Sequence, residues 1–263
     1  MHNITFVTGW YNIKSKFDKT TYKKWISFFL NDVQLFYLVI YTNEESYSYI
    51  QPYINNSNIK VIIKEFDEFF CYKYDWIANH KNNNLLNENS KFNTDWKLNM
   101  LWNEKIHLLN HVINEQIFDT EYYGWCDIGY FRNKNEIVKQ WPNKEKIDKL
   151  DKTKIYYARV NRNMNELYKY VLNKNENDLP KIPIPPNQVS FAGGFFVLHK
   201  DKYHWWNNVY YHKLTQYFQH GYLVKDDQII LSDCILNNLN HFKIIQETNP
   251  NKDPWFVFQL FLL

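Results

Sequence analysis

Apolar runs of strand length alternate with helical patterns along the first half of the chain. The runs at 4–8, 36–42, 59–65 and 122–128 are rich in Ile, Val, Phe and Tyr, a composition typical of buried strands. Over 18–31, apolar residues recur at helical spacing, which predicts an amphipathic helix. This alternation predicts an α/β fold with a mostly parallel, Rossmann-type sheet and helices on both faces.

Candidate capping residues mark further helices between these strands. Thr42 or Asn43 can cap a short helix over 44–52, and Thr94 or Asp95 can cap a longer one. The segment 79–91 is rich in Asn and Lys and has no apolar periodicity, so we expect a mobile loop there. The longer helix is expected to turn Leu98, Leu101, Trp102, Leu109 and Val112 inward.

The second half of the chain is less regular. Strands are predicted at 154–160 and 190–200, with the Pro-rich loop 178–188 between them, and a last strand at 242–247. No linker divides the chain, so residues 1–263 are interpreted as a single domain. Helices are predicted from Asp201 to about His220, where Gly221 ends the helix, and from near Asp226 onward.

Composition and charge exclude several classes of protein. With 45% hydrophobic and 19% aromatic residues the chain is globular, and its net charge of +3 comes from scattered lysines. A duplex-binding protein usually has a concentrated basic face, so no nucleic-acid partner is expected. Three isolated cysteines indicate neither disulfides nor zinc.

No segment has the pattern of a signal peptide or of a membrane span, which needs about 18 or more apolar residues. A cytoplasmic protein without a transmembrane segment is therefore expected. The apolar C-terminal segment 255–263 is too short to span a membrane and is expected to dock on the core. The alternatives are contact with a membrane surface or a partner, including a second copy in a homodimer.

The candidate chemistry begins with Asp127, which lies at the carboxyl end of the predicted strand 122–128. Ligands of open parallel sheets bind beyond the carboxyl ends of the strands. A carboxylate there can hold a divalent cation, which in turn binds a diphosphate. The alternative is an Asp that only stabilises a turn or caps a helix.

Two further segments carry candidate residues. Gly193 and Gly194 lie in an apolar strand and leave room for a ligand or another backbone, although a bulge would also explain them. Asp226 and Asp227 stand where a helix begins. They can cap the helix, or one of them can act as a general base.

The order of these three features resembles the GT-A glycosyltransferases. More specifically, W-x-D-x-G-x-x-R at 125–132 resembles the HtrL/YibB family of glycosyltransferase-like proteins, as do FVTGWYNI at 6–13 and LWNEKIHLL at 101–109. The resemblance spans roughly residues 1–235. It implies a GT-A-like fold, with residues 1–130 as the nucleotide-binding half and residues 131–263 as the acceptor-binding half.

The resemblance also implies a UDP-sugar donor and a Mn²⁺ or Mg²⁺ ion bound by Asp127. Because Gly129 replaces the second Asp of the family motif, the metal loses one carboxylate and would be weakly held or absent. His241 or Asp253 could supply another ligand, but no pattern singles out either. The implied nucleotide-sugar-binding residues are Thr8, Gly9, Trp10 and Tyr11 for the base, Lys105 and Arg132 for the diphosphate, Asp127 for the metal and ribose, and Gly193 and Gly194 for the sugar.

The leading hypothesis is a glycosyltransferase of hexosyltransferase type that transfers a sugar from a nucleotide-sugar to a hydroxyl of a glycan or protein. In an inverting enzyme Asp227 or Asp226 would deprotonate the acceptor hydroxyl, whereas a retaining enzyme needs no dedicated base. The alternative is a non-catalytic glycan- or nucleotide-binding protein of the same fold. A single-stranded RNA-binding module with stacking aromatics is disfavoured by the mild charge and the lack of an RNP motif.

Overall fold

A sheet of seven strands runs through the part of the chain that the computed structural model describes, residues 2–89, 93–133, 137–161 and 163–263. The strand order is β3-β2-β1-β4-β6-β5-β7. Their bounds are β1 (Ile4–Trp10), β2 (Tyr37–Thr42), β3 (Ile59–Ile63), β4 (Tyr122–Cys126), β5 (Ile155–Arg159), β6 (Phe191–His199) and β7 (Phe242–Gln246).

All strands of this sheet except β6 run in the same direction. β1 pairs in parallel with β2 and β4, β2 with β3, and β5 with β7. β6 is antiparallel to both β4 and β5. The predicted mostly parallel, Rossmann-type sheet is therefore confirmed. Because β6 is reversed, its first residues meet the last residues of β4 at the same edge of the sheet.

Helices cover both faces, as predicted. In β4, Tyr123 and Trp125 face one hydrophobic cluster while Tyr122 and Cys126 face the other, the two-residue alternation of a strand buried on both sides. The helices are α1 (Lys19–Leu30), α2 (Tyr74–Glu88), α3 (Trp96–Asn114), α4 (Ile137–Gln140), α5 (Lys144–Asp148), α6 (Asn165–Leu172), α7 (Tyr203–Gln219), α8 (Asp227–Asn237) and α9 (Phe258–Phe261).

Several helix ends agree with the capping patterns. Asp95 caps α3 by accepting the Lys97 N–H, and Asn43 caps a 3₁₀ helix by accepting the Ser46 N–H. Gly221, with φ +70°, follows the end of α7, where a left-handed residue commonly terminates a helix.

The loop predicted at 79–91 is wrong for residues 79–88, which belong to α2. After Trp76 and His80, the inward face of α2 carries amide side chains instead of apolar ones. Asn83, Asn84 and Asn87 are all buried, and Asn84 donates a hydrogen bond of 2.7 Å to the Thr94 carbonyl oxygen. A hydrophobicity pattern cannot detect such a face. Residues 90 and 91 lie outside the described residues.

The C-terminal segment docks on the core, as predicted. Val257, Phe258 and Leu262 are buried, and the Phe258 carbonyl accepts a hydrogen bond of 3.0 Å from the Trp141 indole. Homodimer formation through this segment remains a prediction. Among the described residues, none of the helices has the length and apolar character needed to cross a bilayer.

The buried carboxyl group of Glu104, in α3, should make the free energy of unfolding depend on pH. Glu104 is fully buried and accepts backbone N–H bonds of 2.9 Å from both Phe70 and Cys71. Burial raises its pKa from 4.5 to about 7. Between these values the folded chain holds a proton that the unfolded chain has lost, so stability should fall as pH rises through this range.

We expect the Glu104 contribution to the free energy of unfolding to drop by about 3 kcal/mol across this range, at about 1.4 kcal/mol per pKa unit. Urea unfolding at several pH values measures the drop. Glu104→Gln keeps an acceptor for one N–H but cannot ionise, so its pH profile should be flatter than that of the wild type. Equal profiles for the two proteins would contradict an elevated Glu104 pKa.

Candidate functional site

A cleft of about 410 Å³ opens at the carboxyl edge of the sheet. Its wall combines segments that are distant in sequence: the loop after β1, α1, α3, the loop after β4, the start of β6, the start of α8 and the C-terminal segment. The lining residues include Lys16, Tyr22, Leu98, Trp102, Lys105, Asp127, Gly129, Arg132, Gly193, Gly194, Asp226, Asp227, Gln228, Asp253, Trp255 and Phe256.

The centre of the cleft is an ion network around Lys105. Its ammonium nitrogen lies 3.2 Å from Asp127 Oδ1 and 3.3 Å from Asp227 Oδ2, and it donates a hydrogen bond of 2.8 Å to the Gly193 carbonyl. Burial alone would lower the pKa of Lys105, but the two carboxylates outweigh it and raise that pKa. Lys105 is therefore a fixed positive charge.

Asp127 points into the cleft, with 43% of its side chain exposed. Trp125 and Asp127 stand two residues apart and so project to the same side, and the Trp125 indole donates a hydrogen bond of 2.6 Å to Asp127 Oδ1. The Asp127 N–H bonds to the Gly194 carbonyl at 2.9 Å. Its carboxylate therefore contacts Trp125 and Lys105, and no hydrogen bond from it to a helix N-terminus is found among the described residues.

The adjacent acids at the start of α8 differ in their contacts. Asp226 caps the helix by accepting the Gln228 N–H at 3.2 Å. Asp227 is buried and contacts Lys105. Its pKa is raised to about 6, chiefly by burial and against the opposing effect of Lys105. The capping interpretation thus holds for Asp226, whereas Asp227 is part of the ion network.

Gly193 and Gly194 leave space for these two acids. A Cβ atom on Gly193 would lie 2.3 Å from Asp227 Oδ2, and one on Gly194 would lie 3.1 Å from Asp127 Oδ2. Neither glycine has a positive φ, so space and not backbone conformation requires them. The room predicted for a ligand or another backbone is occupied at both positions by an aspartate side chain.

Buried asparagines fix the segment that carries Asp226 and Asp227. Asn83 of α2 accepts the Val224 N–H at 2.8 Å. Asn87 of α2 and Asn99 of α3 donate to the Lys225 carbonyl at 2.9 and 2.7 Å. Since both helices bind the residues directly before α8, they set the position of the Asp227 carboxylate relative to Lys105.

Arg132 lies at the rim of the cleft on a stack of aromatic rings. Its guanidinium carbon is 4.6 Å from the Trp25 ring centroid, 5.1 Å from Phe17 and 4.9 Å from Phe256. Its Nε donates a hydrogen bond of 3.3 Å to the Gly129 carbonyl. Stacking of this kind holds a guanidinium in place while leaving its edge open to an anion.

The residues that follow β1 line a smaller chamber of about 100 Å³, which shares Lys105, Asp127 and Arg132 with the main cleft. Gly9, Trp10 and Tyr11 are part of its wall. Trp10 and Tyr11 are themselves buried, at 4% and 3% exposure, so only a small part of each ring faces the chamber. Thr8 is fully buried in β1 and lines neither space.

Several lining residues had no signal in the sequence. Lys16 lies 4.7 Å above the Trp102 ring, and both side chains line the cleft. Of the two extra ligands considered, Asp253 reaches the cleft with the C-terminal segment. His241 instead stacks on Trp205 with ring centroids 4.1 Å apart. Lys16 lies in the loop before α1, and Asp253 lies in the C-terminal segment. Neither segment has a periodic pattern from which its position at the cleft could be predicted.

The residues present do not fit a protein-built site for Mn²⁺ or Mg²⁺. Within the described ranges no group of three or more His, Cys, Asp or Glu side chains could hold a metal. The position of the missing second acid is filled, since a Cβ on Gly129 would lie 2.8 Å from the Trp25 ring. Asp127 Oδ1 already binds Trp125 and Lys105. Metal binding by Asp127 stays a prediction.

The chain is similar to a solved structure of 4-diphosphocytidyl-2C-methyl-D-erythritol synthase from Anaerococcus prevotii DSM 20548. The two sequences are 10% identical, the TM-score is 0.41, and the match covers 99% of this chain and 96% of that one. No curated protein sequence matches the chain. The model of the family described as "Bacterial protein of unknown function (HtrL_YibB)" matches residues 2–262. Because this match spans almost the whole chain, the protein belongs to the HtrL_YibB family.

Proposed function

We propose that this protein is a glycosyltransferase that transfers a sugar from a nucleotide-sugar, preferably a UDP-sugar, to a hydroxyl of a glycan or protein. The observation that carries the proposal is the ion network in which Lys105 contacts two carboxylates from separate elements, Asp127 and Asp227. It lies at the carboxyl edge of a mostly parallel sheet, where such folds bind nucleotides.

The charges around the cleft match the parts of a nucleotide-sugar. Within the described ranges, the cations that line it are Lys16, Lys105 and Arg132, and cations stabilise a diphosphate. The exposed carboxylate of Asp127 can accept hydrogen bonds from ribose or sugar hydroxyls. Gly193 and Gly194 line the cleft, and the space beside them holds the carboxylates of Asp227 and Asp127, so a sugar bound there would lie close to both acids.

The nucleoside is assigned to the chamber lined by Gly9, Trp10 and Tyr11, which continues from the main cleft. Thr8 would contribute only through the strand that supports this chamber, because its side chain is buried. Under this proposal the first half of the chain binds the nucleotide, and the second half, from residue 131 onward, binds the acceptor.

Asp227 is the proposed general base of an inverting reaction. Its carboxylate would take the proton of the acceptor hydroxyl as the acceptor oxygen bonds to the anomeric carbon. The bond between that carbon and the phosphate oxygen breaks, and its electron pair goes to the diphosphate. A pKa of about 6 suits a base at neutral pH, because it is mostly ionised and still binds a proton readily. Asp226, the other predicted catalytic acid, has the contacts of a helix cap.

A non-catalytic protein that binds glycans or nucleotides is the second candidate. Such a binding protein would need the cations of the cleft and the wall at Gly193 and Gly194. It would not need a buried acid with a raised pKa such as Asp227. The position of Asp227 next to Lys105 and Gly193 favours catalysis over binding alone.

The test is a donor screen that measures release of nucleoside diphosphate from common UDP- and GDP-sugars. We expect slow UDP release from at least one UDP-sugar, and its loss in both Asp127→Ala and Asp227→Ala. The control is Asp119→Ala, an exposed acid that precedes β4 at the opposite edge of the sheet and pairs only with Lys200 in the described structure. Binding of UDP without any release from all donors would favour the non-catalytic candidate.

A further inference from the structure

The cleft contains a cation that belongs to the chain, at the point where two carboxylates converge. Lys105 lies on the central helix α3, and its side chain is only 6% exposed. Its three N–H donors have three acceptors, one each on Asp127, Asp227 and Gly193. A metal ion placed between the two carboxylates would have to displace this ammonium group.

The remaining donors are few. Asp127 Oδ2 is the oxygen of that carboxylate without a partner in the described network, while Oδ1 is held by Trp125 and Lys105. Position 129, two residues after Asp127, could not hold a second carboxylate, because the Trp25 ring occupies the space where a side chain on Gly129 would lie. Of the other acids that line the cleft, Asp226 caps α8 and Asp253 accepts the Trp255 N–H, so a divalent cation would depend on water and the diphosphate for most of the six-fold coordination it prefers.

We propose that Lys105 supplies the central positive charge that stabilises the diphosphate, so that neither nucleotide binding nor sugar transfer by this chain requires a divalent cation. The proposal rests on the proposed function, since it concerns the same cleft and the same leaving group. It differs from the metal-dependent reaction implied by the sequence resemblance.

The contacts of Lys105 also connect the base to the leaving group. Before reaction, Lys105, Asp127 and Asp227 together carry one net negative charge. When Asp227 takes the acceptor proton its carboxyl becomes neutral, so this network loses its net negative charge and repels a nearby anion less. In the same step the bond to the anomeric carbon breaks and the diphosphate gains one negative charge. Lys105 is then paired with the leaving group as that charge develops, and the net charge of the site is unchanged.

Arg132 and Lys16 bind the diphosphate before this step. Both line the cleft, and the guanidinium of Arg132 is held by three rings. Positive charge fixed in advance costs no reorganisation during the reaction, which is the role that a bound metal has in other transferases.

Isothermal titration of the wild-type protein with UDP, in EDTA and in Mn²⁺, tests the proposal directly. We expect Kd values that agree within about threefold, a difference under 1 kcal/mol. Binding that appears only with Mn²⁺, or is at least about tenfold tighter with it, overturns this inference and leaves the proposed function standing. Failure of UDP and of GDP to bind under both conditions overturns both.

A substitution at Lys105 gives a second readout. Lys105→Met frees the space between Asp127 and Asp227, so two carboxylates become available to a metal. UDP binding by this variant should weaken by about tenfold or more in EDTA and should recover with Mn²⁺, whereas Lys105→Arg should stay independent of Mn²⁺. The control is Lys97→Met, the other lysine of α3, which packs on Phe66 outside the cleft. An identical Mn²⁺ response in Lys105→Met and the wild type contradicts the inference, and if that variant does not fold, the wild-type titration decides.

Discussion

Replacing Asp227 by Asn should lower kcat for sugar transfer by about 10² to 10⁴ while changing the Kd for UDP by only a few-fold. The amide keeps nearly the shape of the carboxyl and can still accept a hydrogen bond from Lys105, but it cannot take the acceptor proton. Steady-state UDP release gives kcat, and titration calorimetry gives Kd. The position of the carboxylate, buried against Gly193 and 3.3 Å from Lys105, is the reason for assigning the proton to Asp227.

Asp226→Asn separates the two neighbouring acids. Asn is a good helix cap, so the start of α8 should keep its stability, and the loss of activity should be much smaller than in Asp227→Asn. A larger loss in Asp226→Asn would transfer the role of base to that residue. Equal kcat in the wild type and Asp227→Asn would remove the base from the mechanism altogether.

The pH profile gives an independent check of the same assignment. The charged groups that interact with Asp227 include Lys105 from α3, Asp127 after β4, Asp226 directly before α8 and Lys16 from the loop after β1. Because the pKa of Asp227 is raised to about 6, kcat/KM should fall as pH drops through this value, by about tenfold per pH unit below it. The residual activity of Asp227→Asn should lack this step.

The regular parts of the fold could be predicted because local patterns determine them. Strands buried on both faces are continuous apolar runs, and their alternation with helices implies a parallel sheet. The edge at which ligands bind follows from that sheet, which placed Asp127 there, and the family resemblance assigned Gly193 and Asp227 to the same site. They do lie together around Lys105.

The parts that could not be predicted depend on contacts between distant segments. Helix α2 was missed because most of its inward face is made of asparagines that bind Thr94, Val224 and Lys225. An amide face has no apolar periodicity. The sequence predicted Lys105 near the diphosphate, but not its position between two carboxylates. Lys16 and Asp253 reach the cleft on irregular segments whose course depends on the folded core.

Substitution of Gly193 tests whether the site tolerates any movement of Asp227. A Cβ atom there would lie 2.3 Å from Asp227 Oδ2, so Gly193→Ala must push the carboxylate away from Lys105. We expect kcat to fall by about 10²-fold, the effect of a displacement near 1 Å on a catalytic group. The added methyl should also lower the free energy of unfolding by about 1 to 3 kcal/mol through overpacking.

Gly194→Ala is the matched comparison, because the two glycines are adjacent in β6 and undergo the same change. Its Cβ would lie 3.1 Å from Asp127 Oδ2, a contact that a partly exposed side chain relieves by a small shift. The loss of kcat in Gly194→Ala should therefore be much smaller than in Gly193→Ala, and its KM for the donor should rise more than its kcat falls. If both variants lost the same activity, general disruption of β6 would explain the effect, and the specific requirement for space beside Asp227 would be refuted.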